Sequence, residues 1–261
     1  MSVDQIVEQA AQQLWNAQER GIPCSPVREI IGATDIETAY AVQRLNVNRR
    51  LQSGAKRVGA KIGLTSVAVQ AQLGVDQQDF GILFHDTEVE NGTSVLAESI
   101  LQPKAEAEIA FVLNQDLPEG NYTEDQIIQA TEYVCAAIEI VGSRVEGWNI
   151  RITDTVADNA SASHFVLGNQ RIHPSQAEFV NCAMTLTQNG QLVSQGSGAA
   201  CMGSPVKAVA WLANTMVQMG TPLQKGDIVL SGALGPMVAG VAGDVFEACI
   251  EGYGSVSFSF S

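Results

Sequence analysis

The 261-residue sequence predicts an α+β fold. A helical N-terminal part, residues 1–55, is followed by a β-rich body, residues 56–261, with one helix laid on it. Three observations carry this. Apolar residues recur at helical spacing near the N-terminus. From about residue 57 the chain turns glycine-rich, with short apolar runs of period two. At residues 189 and 190 an Asn-Gly pair joins two alternating runs, the signature of a hairpin.

The elements follow in order. Val3, Ile6, Val7, Ala10, Leu14 and Ala17 form one face of a helix over 3–20, which Gly21 and Pro23 stop. A second helix is predicted from 36 to 52, opened by Asp35 as its cap and closed by Gly54. Residues 57–112 read as strands and turns. In "RVGAKIGLTS", residues 57–66, Val58, Ala60, Ile62 and Leu64 alternate as a buried face. A helix over 124–133, capped by Thr123, leads into "YVCAAIEIVGSR", a buried strand. "CAMTLTQNGQLVSQG" is a hairpin turning at Asn189-Gly190. "SPVKAVAWLANTMVQMG" is the helix laid on the body, with Gly220 just beyond its end. "KGDIVLSG", "DVFEACIEG" and "GSVSFSF" finish as strands. No internal repeat and no low-complexity linker interrupts the pattern.

Charge narrows the function classes. The formal net charge of −14 argues against nucleic-acid binding, which needs a basic surface. It argues equally against docking on anionic membranes. It leaves a small anionic substrate open, because a bound cation can reverse the local field. No apolar run reaches the ~18 residues of a membrane span. The N-terminus is acidic and amphipathic, unlike a secretory signal, so a cytoplasmic protein is expected. Five scattered cysteines without a CxxC pair, in apolar contexts, read as reduced core thiols. His85, His164 and His173 are isolated, with no zinc-like spacing.

The chemistry concentrates in carboxylates. In "LQPKAEAEIAFVL", residues 101–113, Glu106 and Glu108 stand two positions apart in an apolar run. On a strand such neighbours share a face. Two like charges on a half-buried face repel and resist desolvation unless a cation joins them. A wet strand edge would also accommodate them. Glu139 is the only charge between Tyr133 and Arg144, and could supply a third carboxylate or pair with Arg144 or Arg151. Three oxygen ligands without a histidine or thiolate suit a hard cation such as Mg²⁺ or Mn²⁺.

Lys61 alternates with the buried face and is flanked on its own side by Gly59 and Gly63, which leaves room for a ligand; a surface lysine on an edge strand is the alternative. Close to a metal and desolvated, its pKa should fall, and replacing it should cost the fold little. Asp76 and Asp79 in "GVDQQDFG" could act chemically or only form a turn. "DTVADNASAS" offers Asp158, Asn159 and Ser161. "SGALGPM" offers Ser231 and backbone N–H groups, Gly232 among them, able to bind an anionic group.

"KIGLTS", "LGVDQQDFG", "QPKAEAEIAFVL", "EIVGSR", "DTVADNAS" and "SGALGPM" occur in this order, and together the set closely resembles the 2-keto-4-pentenoate (2-hydroxypenta-2,4-dienoate) hydratases of the fumarylacetoacetate hydrolase superfamily. The resemblance runs nearly end to end. It implies a mixed β-roll and a Mg²⁺ or Mn²⁺ ion held by Glu106, Glu108 and Glu139. It implies Lys61 as an acid/base lysine, Asp79 as the aspartate of the loop motif, and substrate contacts at Ser161, Ser231 and Gly232. It further implies a homo-oligomer, pentameric or decameric, with a pathway enzyme as a further partner. Ser231 departs from the threonine expected in this motif but keeps the hydroxyl.

The implied reaction, in degradation of aromatic compounds, is hydration of a dienoic 2-oxo acid. The dienol takes a proton at its far carbon, water adds at C4, a proton reaches C3, and 4-hydroxy-2-oxopentanoate results. Three rivals stand beside it. One is the related 2-oxo-3-hexenedioate (4-oxalocrotonate) decarboxylase, which shares the glutamates and the lysine. Another is a C–C hydrolase of the same superfamily, whose His–carboxylate pair is not matched here by any histidine before His85. The last is a non-catalytic partner subunit that binds metal and oxo acid without turnover.

Overall fold

The computed structural model describes residues 2–66, 70, 75 and 77–261; Asp76 lies outside them. Three helices lead: α1 (Val3–Arg20), α2 (Arg28–Ile31) and α3 (Ile36–Gln52). Ser2 and Gln5 close a capping box on α1, and Gly21, at φ 64°, ends it. Asp35 accepts a hydrogen bond from the Thr38 amide and opens α3. The first strand, β1 (Arg57–Gly63), follows at once.

An eight-stranded mixed sheet forms most of the body. Its path runs β2 (Asp79–Phe84), β1, β10 (Ile228–Leu230), β5 (Lys104–Leu113), β6 (Thr131–Val141), β7 (Ala162–Leu167) and β3 (Glu88–Val89), with β11 (Val238–Ala239) also on β5. A second sheet orders β4 (Ser94–Val95), β13 (Gly254–Phe260), β12 (Val245–Ile250), β8 (Ala183–Gln188) and β9 (Gln191–Ser197). Asn189 and Gly190, at φ 53° and 77°, make the tight β8–β9 turn that the sequence predicts.

The main core fills the space where the second sheet packs on β5 and β6. Ala105, Ala107, Ile109, Phe111 and Leu113 enter it from β5, against Met184, Leu186, Phe246 and Phe258. Phe111 stacks on Phe179 at 5.4 Å, and Phe246 on Phe258 at 5.4 Å. The predicted long helix is α6 (Pro205–Gln218), whose Val206, Val209, Leu212 and Met216 are buried.

Three local expectations change. The helix predicted over 124–133 stops early, as α4 (Glu124–Gln129). Thr131 turns its hydroxyl back to the Ile127 carbonyl and already pairs with Leu113, so a long strand begins where the helix would have continued. Val58 leaves the face of Ala60 and Ile62, because the register shifts between Arg57 and Gly59 and turns it toward a smaller cluster. Cys249 is exposed and Cys24 half-buried, since β12 alternates outward at Cys249; only Cys135, Cys182 and Cys201 are core thiols, and all five are unpaired.

No helix among the described residues is long and apolar enough to cross a membrane.

Candidate active site

Sheet register collects the polar residues. Odd positions of β5 enter the core, so Glu106 and Glu108 share the opposite face. Glu106 lies directly across from Glu139 on β6. Lys61 pairs laterally with Leu230, and Leu230 with Ala110, two residues along β5 from Glu108. Asp79 pairs with Gly63, two residues along β1 from Lys61. One face of one sheet therefore carries Asp79, Lys61, Glu106, Glu108 and Glu139. Leu83, Ala110, Cys135, Ala137, Phe165 and Leu230 form an apolar cluster beside them.

The carboxylates converge. Glu106, Glu108 and Glu139 each offer an oxygen within 4.8 Å of the others. Lys61 Nζ lies 3.1 Å from Glu139 Oε1 as an ion pair, without hydrogen-bond alignment. Gly232 N–H donates to Glu108 Oε2 at 2.7 Å. Glu108 Oε1 and both Glu139 oxygens are buried with no hydrogen-bond partner. Burial, and then the Glu139 charge, push the Glu106 carboxyl up to about 7, and the same two causes hold Glu108 well above the usual range. Buried acids with orphaned oxygens, answered by the Lys61 ammonium and by Lys104 beside Glu106, form a site short of positive charge. A divalent cation bound by oxygen supplies what is missing, so the donor set fits Mg²⁺ or Mn²⁺.

Lys61 is buried, at 3% exposure, not an edge lysine. Burial opposes its charge, but Glu139, then Glu106, Asp79 and Glu108, outweigh that and raise its pKa. The sequence-based expectation of a lowered pKa is thus reversed for the side chains alone; lowering it requires a cation to offset those carboxylates. The room expected beside Lys61 is also taken. A Cβ on Gly59 would meet the Ile228 carbonyl at 1.8 Å, and one on Gly63 would meet Asp79 Oδ1 at 2.1 Å. These glycines admit the protein's own neighbours, and Gly63 in particular admits the Asp79 carboxylate.

Asp79 is fully buried. It accepts a hydrogen bond from Thr155 at Oδ2, 2.8 Å away, and its Oδ1 has no partner. Burial raises its pKa, and Lys61 pulls it back. Thr155 stands on α5 (Ile152–Ala157) and is not among the sequence-based candidates; a threonine in a polar run carries no signal of its own.

The run Asn159–Ser161 holds three consecutive non-glycine residues at φ 51° to 55°. Such left-handed backbone is costly and survives only where the surroundings impose it. Here Asn159 pairs through its side chain with both backbone groups of Ile82. The turn presents Ser161, whose buried hydroxyl lacks a partner, as does that of Ser231. The amides expected to bind an anion are engaged elsewhere, Ser231 N–H with the Ile109 carbonyl and Gly232 N–H with Glu108. Gly232 therefore orients a carboxylate and has no free amide for a substrate.

Asp158 is structural. Arg144 donates to it from Nε (2.5 Å) and from its backbone amide (2.9 Å), so neither Arg144 nor Asp158 is free for chemistry. Replacing Asp158 by Asn leaves a buried guanidinium without its counter-charge and should cost about 3 to 5 kcal/mol of stability. Denaturant unfolding measures this; a loss below about 1 kcal/mol, the worth of a surface pair, would contradict it. A cavity of about 760 Å³ opens elsewhere, lined by Trp15, Arg50, His85 and His164. None of Glu106, Glu108, Glu139, Lys61 and Asp79 lines it, and its Arg50 is already paired with Asp86.

Mixed sheets behind a helical N-terminus carry an oxygen-only donor set that fits a divalent cation, beside a buried lysine and aspartate. Residues 54–260 match the family model for the fumarylacetoacetate (FAA) hydrolase C-terminal domain, and the chain belongs to that family. It is 50% identical over 254 residues to 2-keto-4-pentenoate hydratase 2 of Dechloromonas aromatica, covering 97% of each chain. It is 49% identical to the 2-keto-4-pentenoate hydratase of Burkholderia vietnamiensis over the full length of both. Among solved structures it resembles 4-oxalocrotonate decarboxylase from Pseudomonas putida G7, complexed with magnesium and adipate: TM-score 0.94, 30% identity, covering 100% of this chain and 99% of that one.

Proposed function

We propose that the protein is a metal-dependent hydro-lyase that adds water to 2-hydroxypenta-2,4-dienoate, giving 4-hydroxy-2-oxopentanoate in aromatic catabolism. The carrying observation is the gathering of Glu106, Glu108, Glu139, Lys61 and Asp79 on one sheet face, in a chain about half identical, end to end, to proteins named as these hydratases. Glu106, Glu108 and Glu139 would hold Mg²⁺ or Mn²⁺. When bound, that ion supplies Lewis-acid stabilisation of negative charge developing at the C2 oxygen.

The chain's own residues do the rest. The enol proton leaves the C2 hydroxyl and a proton is delivered at C5, which gives the conjugated ketone. Water then adds at C4 and a proton arrives at C3. Lys61 and Asp79 move these protons and place the water. The unpartnered hydroxyls of Ser161 and Ser231 are available to the polar end of the substrate. Burial of the whole face keeps bulk water from quenching the enolate.

The strong likeness to a decarboxylase structure favours one second reading, loss of CO₂ from 2-oxo-3-hexenedioate on the same site. The two separate by whether CO₂ is released. We further propose a cytoplasmic homo-oligomer, a pentamer or decamer; exposed Leu192, Val193 and Val245 on β9 and β12 offer it apolar contact surface.

Chelator treatment should abolish formation of 4-hydroxy-2-oxopentanoate, and added Mn²⁺ should restore it. Full activity in protein shown to be metal-free would overturn the proposal.

A further inference from the structure

Thr155 sits 4% exposed, and its hydroxyl donates to Oδ2 of fully buried Asp79 at 2.8 Å. That bond fixes which carboxylate oxygen is used up. Oδ1 is left buried and unpartnered, against the hydrogen-only side of Gly63 on the strand that carries Lys61. A neutral hydroxyl engages one oxygen while leaving the charge of the carboxylate uncancelled.

The support behind Thr155 is equally specific. Gln43 of α3 is buried and donates from Nε2 to the carbonyls of Phe80, at 2.8 Å, and Val156, at 3.0 Å. Those residues directly follow Asp79 and Thr155 in the chain, so one amide pins both partners of the pair. Tyr40, one turn earlier on α3, stacks on Phe80 at 4.9 Å. Asp154 receives the Arg28 amide of α2 at 2.8 Å and the Arg151 amide at 2.9 Å, which anchors the start of α5. Helices α2 and α3 thereby hold a short helix on which the Thr155 hydroxyl meets the aspartate.

We infer that Thr155 is a positioning residue: with α5 clamped by Gln43 and Arg28, it holds the Asp79 carboxylate so that Oδ1 faces the reacting centre. The inference rests on the proposed function, in which Asp79 moves protons or places water. It assigns the N-terminal helices a part in the chemistry that they never touch.

The test compares Thr155→Val, Thr155→Ser and Asp79→Asn, each loaded with saturating Mn²⁺ and offered 2-hydroxypenta-2,4-dienoate. Valine keeps the volume and removes the donor. It should cut kcat about 10- to 100-fold, the usual loss for a misplaced group. KM and Mn²⁺ affinity should stay unchanged, because Glu106, Glu108, Glu139 and Lys61 are untouched. Serine restores the donor and should restore kcat, which a purely space-filling role would not produce. Should the valine variant fail to fold, Thr155→Ala removes the same donor and decides in its place. Full kcat in the donor-less variant beside an inactive Asp79→Asn overturns the inference and leaves the site reading intact. Full kcat in Asp79→Asn overturns the role given to Asp79, and the inference falls with it.

Discussion

Lys61→Met will lower kcat by about 10² to 10⁴, the range for losing a general acid or base, with little change in Mn²⁺ affinity. Methionine keeps the length of the stem and removes the transferable proton. Lys61 is not in the proposed ligand set, and it lies 3.1 Å from Glu139, which is. If Lys61 only anchored the substrate carboxylate, KM would rise with kcat nearly intact, so steady-state kinetics separates the two roles. The sequence suggested that the fold would tolerate this change. The structure reverses that for metal-free protein, where Lys61 is the ammonium closest to a buried acidic cluster. Removing one partner of a buried pair costs about 3 to 5 kcal/mol. The metal-free variant should therefore melt well below wild type, and Mn²⁺ should recover much of the difference. Unchanged kcat and KM would mean that Lys61 is a structural counter-ion only.

Glu108→Gln should separate stability from function in the opposite direction. Glutamine still accepts the Gly232 N–H through its carbonyl oxygen but brings no charge. It relieves repulsion from Glu139 and Glu106, the neighbours that, after burial, raise the Glu108 pKa. Metal-free Glu108→Gln should thus be more stable than metal-free wild type. Wild type gains about 2.7 kcal/mol at a Mn²⁺ concentration of 100 times Kd. The variant should gain little, and turnover should be lost with the ligand. Melting curves with and without Mn²⁺ check both halves. An equal Mn²⁺-induced shift in variant and wild type would remove Glu108 from the ligand set.

The carboxylates were legible in the sequence because burial makes charge conspicuous. Glu106 and Glu108 interrupt an apolar strand at a spacing that shares a face, and Glu139 is alone in another such strand. The register that sets Glu106 opposite Glu139 was not legible, since strand pairing across 33 positions leaves no local trace. Glycine was misread: Gly59 and Gly63 signalled close approach correctly, but what approaches is Ile228 and Asp79. Gly232 was read as an anion-binding amide, yet its N–H is committed to Glu108. Thr155 and Gln43 were invisible, because a buried hydrogen bond between distant segments looks in sequence like any polar residue. The sign of the Lys61 shift was missed because four carboxylates from three strands act on it together.

The most direct test is the product formed from freshly generated 2-hydroxypenta-2,4-dienoate by the Mn²⁺-loaded protein, identified by NMR beside a chelated control. The expected spectrum is that of 4-hydroxy-2-oxopentanoate, with no CO₂ evolved, and with the chelated control showing only the spontaneous ketone. Unhydrated ketone as the sole product of the loaded protein, or the hydroxy acid formed equally well in the chelated control, would contradict a metal-dependent hydratase built on Glu106, Glu108 and Glu139.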